Sequence, residues 1–278
     1  YPLLGDRIYG PIGHTIDVIA VIATLVGLAT SLGFGVQQIG AGLNHLLGWE
    51  ASVQTYTLLI AVITGFATIS VVTGLKKGVR FLSEMNIWIA FGLLLLVLFV
   101  GPTVRILDVF VQSTGQYLGN VLSLGTWSEA FRPNNHWQNA WTVFYWAWWI
   151  AWSPFVGIFI ARISKGRTVR EFLLSVLSIP MIFTFFWFSV FGTSALELEF
   201  QGVADIGTAI QEDLSTALFV MLEHYPLSIL TSTIGIILVT SFFVTSSDSG
   251  SLVVDMLTSG GKLDAPVGQR IFWALTEG

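Results

Sequence analysis

The chain has 278 residues, 54% of them hydrophobic and 10% charged, with a net charge of -5. That composition excludes a water-soluble globular domain and describes a polytopic membrane protein, for which no nucleic-acid partner is expected. It contains no cysteine, so disulfides, thiolate metal sites and cysteine nucleophiles are excluded as well.

The chain opens at Tyr1 without a methionine and stops just after the apolar Ile271-Phe-Trp-Ala-Leu275, so it is read as an internal piece of a longer protein. Residues 15–43 are apolar and long enough to span a bilayer while tilted. Their second half, Gly33-Phe-Gly35 through Gly40-Ala-Gly42, clusters glycines. Such clusters mark either close approach of two helices or backbone opened to a ligand. A second span covers about 54–75 and ends at Lys76, Lys77 and Arg80. A third covers about 86–101 and stops at Gly101-Pro102.

Residues 104–124 differ in kind. Leu107, Phe110, Val111, Leu118, Val121 and Leu122 share one face, while Arg105, Asp108, Gln112, Gln116 and Asn120 lie elsewhere. That pattern is an amphipathic helix lying in the membrane interface. A polar loop, 125–138, leads into a fourth span over about 139–163, followed by a basic loop with Arg162, Lys165, Arg167 and Arg170. The fifth span, about 172–196, precedes an acidic stretch holding Glu197, Glu199, Asp205, Glu212, Asp213 and Glu223. The sixth runs over about 227–247 and continues into the hydroxyl-rich Thr245-Ser-Ser-Asp-Ser249, where Asp248, like Asp17 in the first span, is either a titratable group near a span end or a helix cap.

Basic residues follow spans two, four and six, and Arg7 precedes span one. The intervening loops are neutral or acidic apart from Arg105 and Arg132. By the positive-inside rule the first span starts in the cytoplasm, and all six boundaries agree.

The fourth span carries the most unusual residues, Trp141-Thr-Val-Phe-Tyr-Trp-Ala-Trp-Trp-Ile-Ala-Trp-Ser-Pro-Phe-Val-Gly157. At 100° per residue, Trp141, Tyr145, Trp148, Trp152, Phe155 and Phe159 fall within roughly an 80° arc, with Trp149 on its shoulder. Pro154 cannot donate to the Ile150 carbonyl, which predicts a helix kinked or loosened there. One reading of the stripe is an aromatic belt at the lipid interface. A belt is one or two turns deep, whereas this stripe runs nearly the length of a span. The other reading is a π-faced lining for a cation, since tryptophan is the best ring for holding a quaternary ammonium.

Enzyme chemistry is argued against. His14, His45, His136 and His224 all fall at span ends or in loops, which leaves no paired histidines and no protease constellation within the spans. No filter loop or ring of charge suggests a channel. A receptor or scaffold stays open on composition alone. The aromatic stripe together with Phe242-Phe-Val-Thr-Ser-Ser-Asp-Ser249 points to a secondary transporter, because consecutive hydroxyls and freed carbonyls supply the hard oxygens a small cation needs. The alternative for that stretch is hydroxyls bonding back to carbonyls four residues earlier.

On these residues the chain resembles the betaine/choline/carnitine transporter (BCCT) family. The tryptophan stretch carries most of the likeness, continued by Ala161-Arg-Ile-Ser-Lys-Gly-Arg167. Ser31-Leu-Gly-Phe-Gly, Gln38-Ile-Gly-Ala-Gly-Leu43 and the hydroxyl run support it. The resemblance implies an all-α integral membrane protein built on inverted five-helix repeats, of which this chain would hold the fifth to tenth spans. It implies a secondary transporter in the cell membrane, assembled as a homotrimer, for a quaternary-ammonium osmolyte such as glycine betaine, choline or carnitine. A same-fold carrier of another zwitterion, such as proline or ectoine, is the alternative.

The residues that carry over to substrate binding are Trp149, with Trp148 and Trp152 along the adjoining path. No cofactor is implied beyond a coupling ion, either sodium or a proton. A sodium site would use the Phe242 backbone, Thr245 and Ser246. A second would use Thr24 and the ring of Phe155, but Leu28 stands where the family offers a further hydroxyl, which puts that site in doubt.

Overall fold

The computed structural model describes residues 3–50, 52–73, 76–131, 136–262 and 265–278; within these, only the backbone is described at 73, 76–80, 162 and 163. The side chains of Lys76, Lys77, Arg80, Arg132 and Arg162, on which part of the sidedness reading rests, lie outside the described residues.

After a 3-10 turn at Gly5–Tyr9, the first span forms α1 (Pro11–Leu47), with Pro11 at its first turn and Gly48 in the left-handed conformation closing it. Three helices follow: α2 (Val53–Thr73), α3 (Lys76–Val100) and the amphipathic α4 (Thr103–Thr126). The tryptophan span opens with a π-helical turn, Asn139–Val143, and continues as α5 (Phe144–Ile163). Then come α6 (Val169–Phe200), α7 (Ile206–Glu212), a 3-10 turn at Leu214–Thr216, α8 (Ala217–Glu223), α9 (Ser228–Thr258) and α10 (Val267–Glu277). Six of these helices are long and apolar enough to cross a membrane, and the described residues contain no strand.

The hub is α9, which packs against α1, α2, α3, α8 and α10 and also meets α5. α5 packs mainly against α1, and α4 runs against α6. One core joins Leu32, Val36 and Ile39 of α1 to Ile63 of α2, with Ile236, Val239 and Phe243 of α9 packed on it. A second joins Leu94, Val97 and Leu98 of α3, Ile106 of α4, Val190 of α6, and Ile206, Met221 and Leu222.

Of the two readings of the glycine cluster, close approach is what α1 adopts. A Cβ on Gly35 would fall inside the Phe243 ring, and one on Gly42 would lie 2.5 Å from Phe219. Glycine there lets α1 and α9 meet backbone to side chain, the device expected where no hydrophobic force drives membrane helices together.

Three regions refine or correct these expectations. First, α5 stays helical through Pro154, where the sequence predicts a kinked or loosened helix, and the Ile150 carbonyl accepts a hydrogen bond from Ser153 Oγ at 2.8 Å. The neighbouring hydroxyl supplies the donor that proline lacks, and a π-helical turn lies further back, at Asn139–Val143.

Second, the hydroxyl run is no helix end. α9 continues to Thr258, so Asp248 lies in its interior and caps nothing, as does Asp17 within α1. Back-bonding keeps such a run helical: Ser249 Oγ donates to the Thr245 carbonyl at 2.8 Å.

Third, the acidic stretch carries structure that its polarity hid. Glu199 accepts from the backbone N–H groups of Ile206 and Gly207 at 2.7 and 3.0 Å, and Asp205 caps α7 through the N–H of Thr208. These carboxylates satisfy helix N-termini, where negative charge is favoured. In α8, which follows, Phe219 and Leu222 are fully buried.

Candidate substrate cavity and ion site

The aromatic stripe forms two runs of ring contacts, one from Trp141 to Trp148 and one from Trp152 to Phe159. Trp141 stacks on Tyr145 at 6.2 Å, Tyr145 meets Trp148 at 5.7 Å, Trp152 meets Phe155 at 5.1 Å and Phe155 meets Phe159 at 6.1 Å. Beside it opens a cavity of about 770 Å³ lined by Tyr145, Trp148, Trp149, Trp152, Ser153 and Ser31, among others. The three tryptophans predicted for the substrate therefore share one cavity. None of the side chains lining it is charged.

Their roles in that wall differ. Trp148 Nε1 donates to Ser31 Oγ at 3.1 Å, and Trp152 Nε1 donates to the Gly27 carbonyl at 3.1 Å. Both indoles are thereby fastened to α1. Trp149, on the shoulder of the stripe, is 74% exposed. Its ring is free to meet a ligand, while its two neighbours hold the wall in place.

Ser31 is the residue that sequence reasoning missed as a site residue. It was visible only as part of a motif, one turn beyond Gly27 on the same face of α1. Besides lining the aromatic cavity it lines a much smaller pocket on its other side, with Leu28, Leu32, Phe243, Ser246, Ser247 and Glu277.

The predicted first ion site is laid out along α9. Thr245 is buried, and its hydroxyl donates to the carbonyls of Ser241 and Phe242 at 3.1 and 3.0 Å. The Phe242 carbonyl and the Thr245 oxygen are thus adjacent, although the Phe242 ring itself is exposed. Ser246 opens onto the small pocket shared with Ser31. Not every hydroxyl of this run bonds back along the helix. Ser251 Oγ donates to Glu277 Oε2 at 2.6 Å and Ser247 Oγ reaches the same oxygen at 3.5 Å, joining α9 to α10.

For the second ion site, Thr24 and Phe155 are both buried, on the packed helices α1 and α5. Thr24 Oγ1 donates to the Ala20 carbonyl at 2.8 Å, which leaves its lone pairs available. Leu28 is only 5% exposed and packs against Gly250 of α9. The hydroxyl expected there is replaced by a hydrocarbon wedged between helices, and an alkali cation gains nothing from it.

A family-wide sequence model described as BCCT, betaine/carnitine/choline family transporter, matches residues 1–278. The chain belongs to the betaine/carnitine/choline transporter family. The family is one of multi-pass membrane transporters and not of enzymes, and the six apolar helices fit it.

Among relatives, the glycine betaine/proline/choline/ectoine transporter of Vibrio parahaemolyticus is 48% identical over 278 residues, all of this chain and 49% of that protein. The glycine betaine transporter OpuD of Bacillus subtilis is 46% identical over 280 residues, covering 99% of this chain and 54% of OpuD. The ectoine/glycine betaine/proline transporter EctP of Corynebacterium glutamicum is 44% identical over 279 residues, all of this chain and 45% of EctP. The chain spans about half the length of these relatives.

Proposed function

We propose that the protein is a secondary active transporter of a quaternary-ammonium compatible solute, glycine betaine or choline first among them, working by alternating access. The observation that carries this reading is the uncharged cavity walled by Trp148, Trp149 and Trp152. A trimethylammonium group has no N–H to donate, so its recognition falls to charge, shape and π faces, and tryptophan is the strongest π face available. The names of the relatives from Vibrio and Bacillus support the same substrate class. EctP and the Vibrio protein are also named for proline and ectoine, which keeps a second zwitterion as the alternative substrate.

Coupling to sodium is the accompanying proposal, with the Phe242 carbonyl, Thr245 and Ser246 holding the ion. The oxygens there are hard, and the Thr245 hydroxyl lies 3.0 Å from the Phe242 carbonyl. A second sodium at Thr24 and Phe155 is the weaker part of that proposal, because Leu28 removes a ligand. A proton is the rival driver. A homotrimer is the assembly proposed from the family resemblance.

The test is uptake of labelled glycine betaine by the intact transporter in proteoliposomes, under an imposed sodium or proton gradient. Saturable uptake that follows the sodium gradient and yields to excess choline supports the reading. Competition by proline or ectoine but not by choline would turn it toward the alternative substrates. Uptake that follows a pH gradient alone would replace sodium by a proton.

A further inference from the structure

Trp148 and Trp152 stand one turn apart on α5, and both turn their N–H edges toward α1. Trp148 Nε1 donates to Ser31 Oγ at 3.1 Å, Ser31 Oγ donates onward to the Gly27 carbonyl at 3.0 Å, and Trp152 Nε1 donates to that same carbonyl at 3.1 Å. One indole and one buried hydroxyl thus meet at a single backbone oxygen, and the second indole is joined to it through that hydroxyl. The residue bearing it has no side chain for a steric reason. A Cβ on Gly27 would stand 2.9 Å from Trp152 Cδ1 and 3.1 Å from its Nε1, a clash with the ring edge that makes the bond.

An indole is electrically anisotropic, with a negative face and a positive edge, and the N–H is the most positive part of that edge. An N–H pointing into the cavity would repel an ammonium and attract a carboxylate or water. Here both N–H groups are occupied by α1.

We propose that Gly27 and Ser31 are positioning residues that hold the positive edges of Trp148 and Trp152 away from the cavity. They thereby make the wall selective for methylated cations over neutral ligands of the same shape. The inference rests on the cavity being the substrate site. It adds a specificity device on α1, a helix whose proposed part in ligand binding was otherwise confined to Thr24.

The test uses the intact transporter, with two double-mutant cycles and one measurement without ligand. In ultraviolet resonance Raman spectra of ligand-free protein, the band reporting indole N–H hydrogen bonding shifts toward the unbonded position in Ser31→Ala. By calorimetry, Ser31→Ala weakens glycine betaine binding about threefold to tenfold, the range expected for one hydrogen bond inside a membrane protein. Binding of the neutral-headed isostere 3,3-dimethylbutanoate changes by less than about twofold. In a Trp148→Phe background, which keeps a ring and removes the N–H, Ser31→Ala has no further effect. Gly27→Ala lowers affinity about tenfold or more, and does so far less in a Trp152→Ala background, where the clashing ring is gone.

An unchanged Raman band in Ser31→Ala would overturn the proposal. So would equal losses for the cation and its isostere, or an undiminished Ser31→Ala effect after Trp148→Phe. If the wild-type protein binds no glycine betaine at all, the substrate reading fails, and the ligand-free Raman result still decides how the indoles are held.

Discussion

Trp149 offers the cleanest test of cation recognition, because its ring lines the cavity without bracing the fold. It is 74% exposed, whereas Trp148 and Trp152 each donate to α1. Replacing Trp152 would strip a partner from the Gly27 carbonyl and confuse binding with packing. Replacing Trp149 leaves that network intact, so a change in affinity is a change at the ligand.

A desolvated cation–π contact is worth about 2 kcal/mol, or roughly thirtyfold in affinity. Leucine at 149 keeps much of the bulk and removes the quadrupole. Phenylalanine keeps a weaker one. Affinity for glycine betaine is therefore expected to fall in the order Trp149, Trp149→Phe, Trp149→Leu, with leucine near the full thirtyfold. The neutral-headed 3,3-dimethylbutanoate has the same outline and no cationic group, so its affinity should move little across the series. Calorimetry on purified intact transporter, with both ligands in each variant and melting temperatures alongside, reads all of this. If leucine and phenylalanine behave alike, or the neutral-headed isostere loses as much as glycine betaine, Trp149 is a packing residue and the cationic group is held elsewhere.

Thr245→Ala with Ser246→Ala removes two hydroxyls from the proposed sodium site, at a cost on the order of 1–3 kcal/mol to ion binding. The sodium concentration for half-maximal uptake should rise; an unchanged value takes these residues out of the ion site. Leu28→Thr supplies the missing hydroxyl at the second site and should steepen the sodium dependence of uptake, while lowering the melting temperature because the Leu28–Gly250 contact is lost. Buried Asn86 accepts a hydrogen bond from Ser241 Oγ at 2.5 Å across α3 and α9. Ser241→Ala should destabilise the protein in detergent by about 1–3 kcal/mol, and Asn86→Leu added to it should recover much of that, because the orphaned amide is then removed. Equal melting temperatures for the single and double variants would contradict this.

The apolar helices and the aromatic stripe were legible because both depend on short-range periodicity. One face of a helix can be read from spacing alone, and Trp141, Tyr145, Trp148 and Trp152 announce it. What fastens that face was not legible. The partners of Trp148 and Trp152 lie 117 and 125 residues away, and Ser241 meets Asn86 across 155. Nothing in local spacing points to such pairs, and Gly27 in particular looks like any other small residue of a membrane helix.

The end of the sixth span was misread for a different reason. Falling hydrophobicity at Thr245–Ser249 signals a boundary only if the hydroxyls seek water, and here Ser249 finds the carbonyl below it and Ser251 finds Glu277. The short helices α7 and α8 escaped notice because seven residues hold too little of a repeat to show a period.

The partition between the tryptophan cavity and the pocket at Ser246 is, at Ser31, one side chain thick. A hydroxyl has a single proton to give, and here it goes to the Gly27 carbonyl while the oxygen receives the Trp148 N–H. Any guest at Ser246 that drew the Ser31 oxygen or proton toward itself would take it from the indole on the other side. Equilibrium linkage then runs both ways: the free energy by which such a guest alters the tryptophan wall equals the free energy by which an occupant of that wall alters the guest's own binding. Two compartments divided so thinly need no relay of moving helices to sense each other.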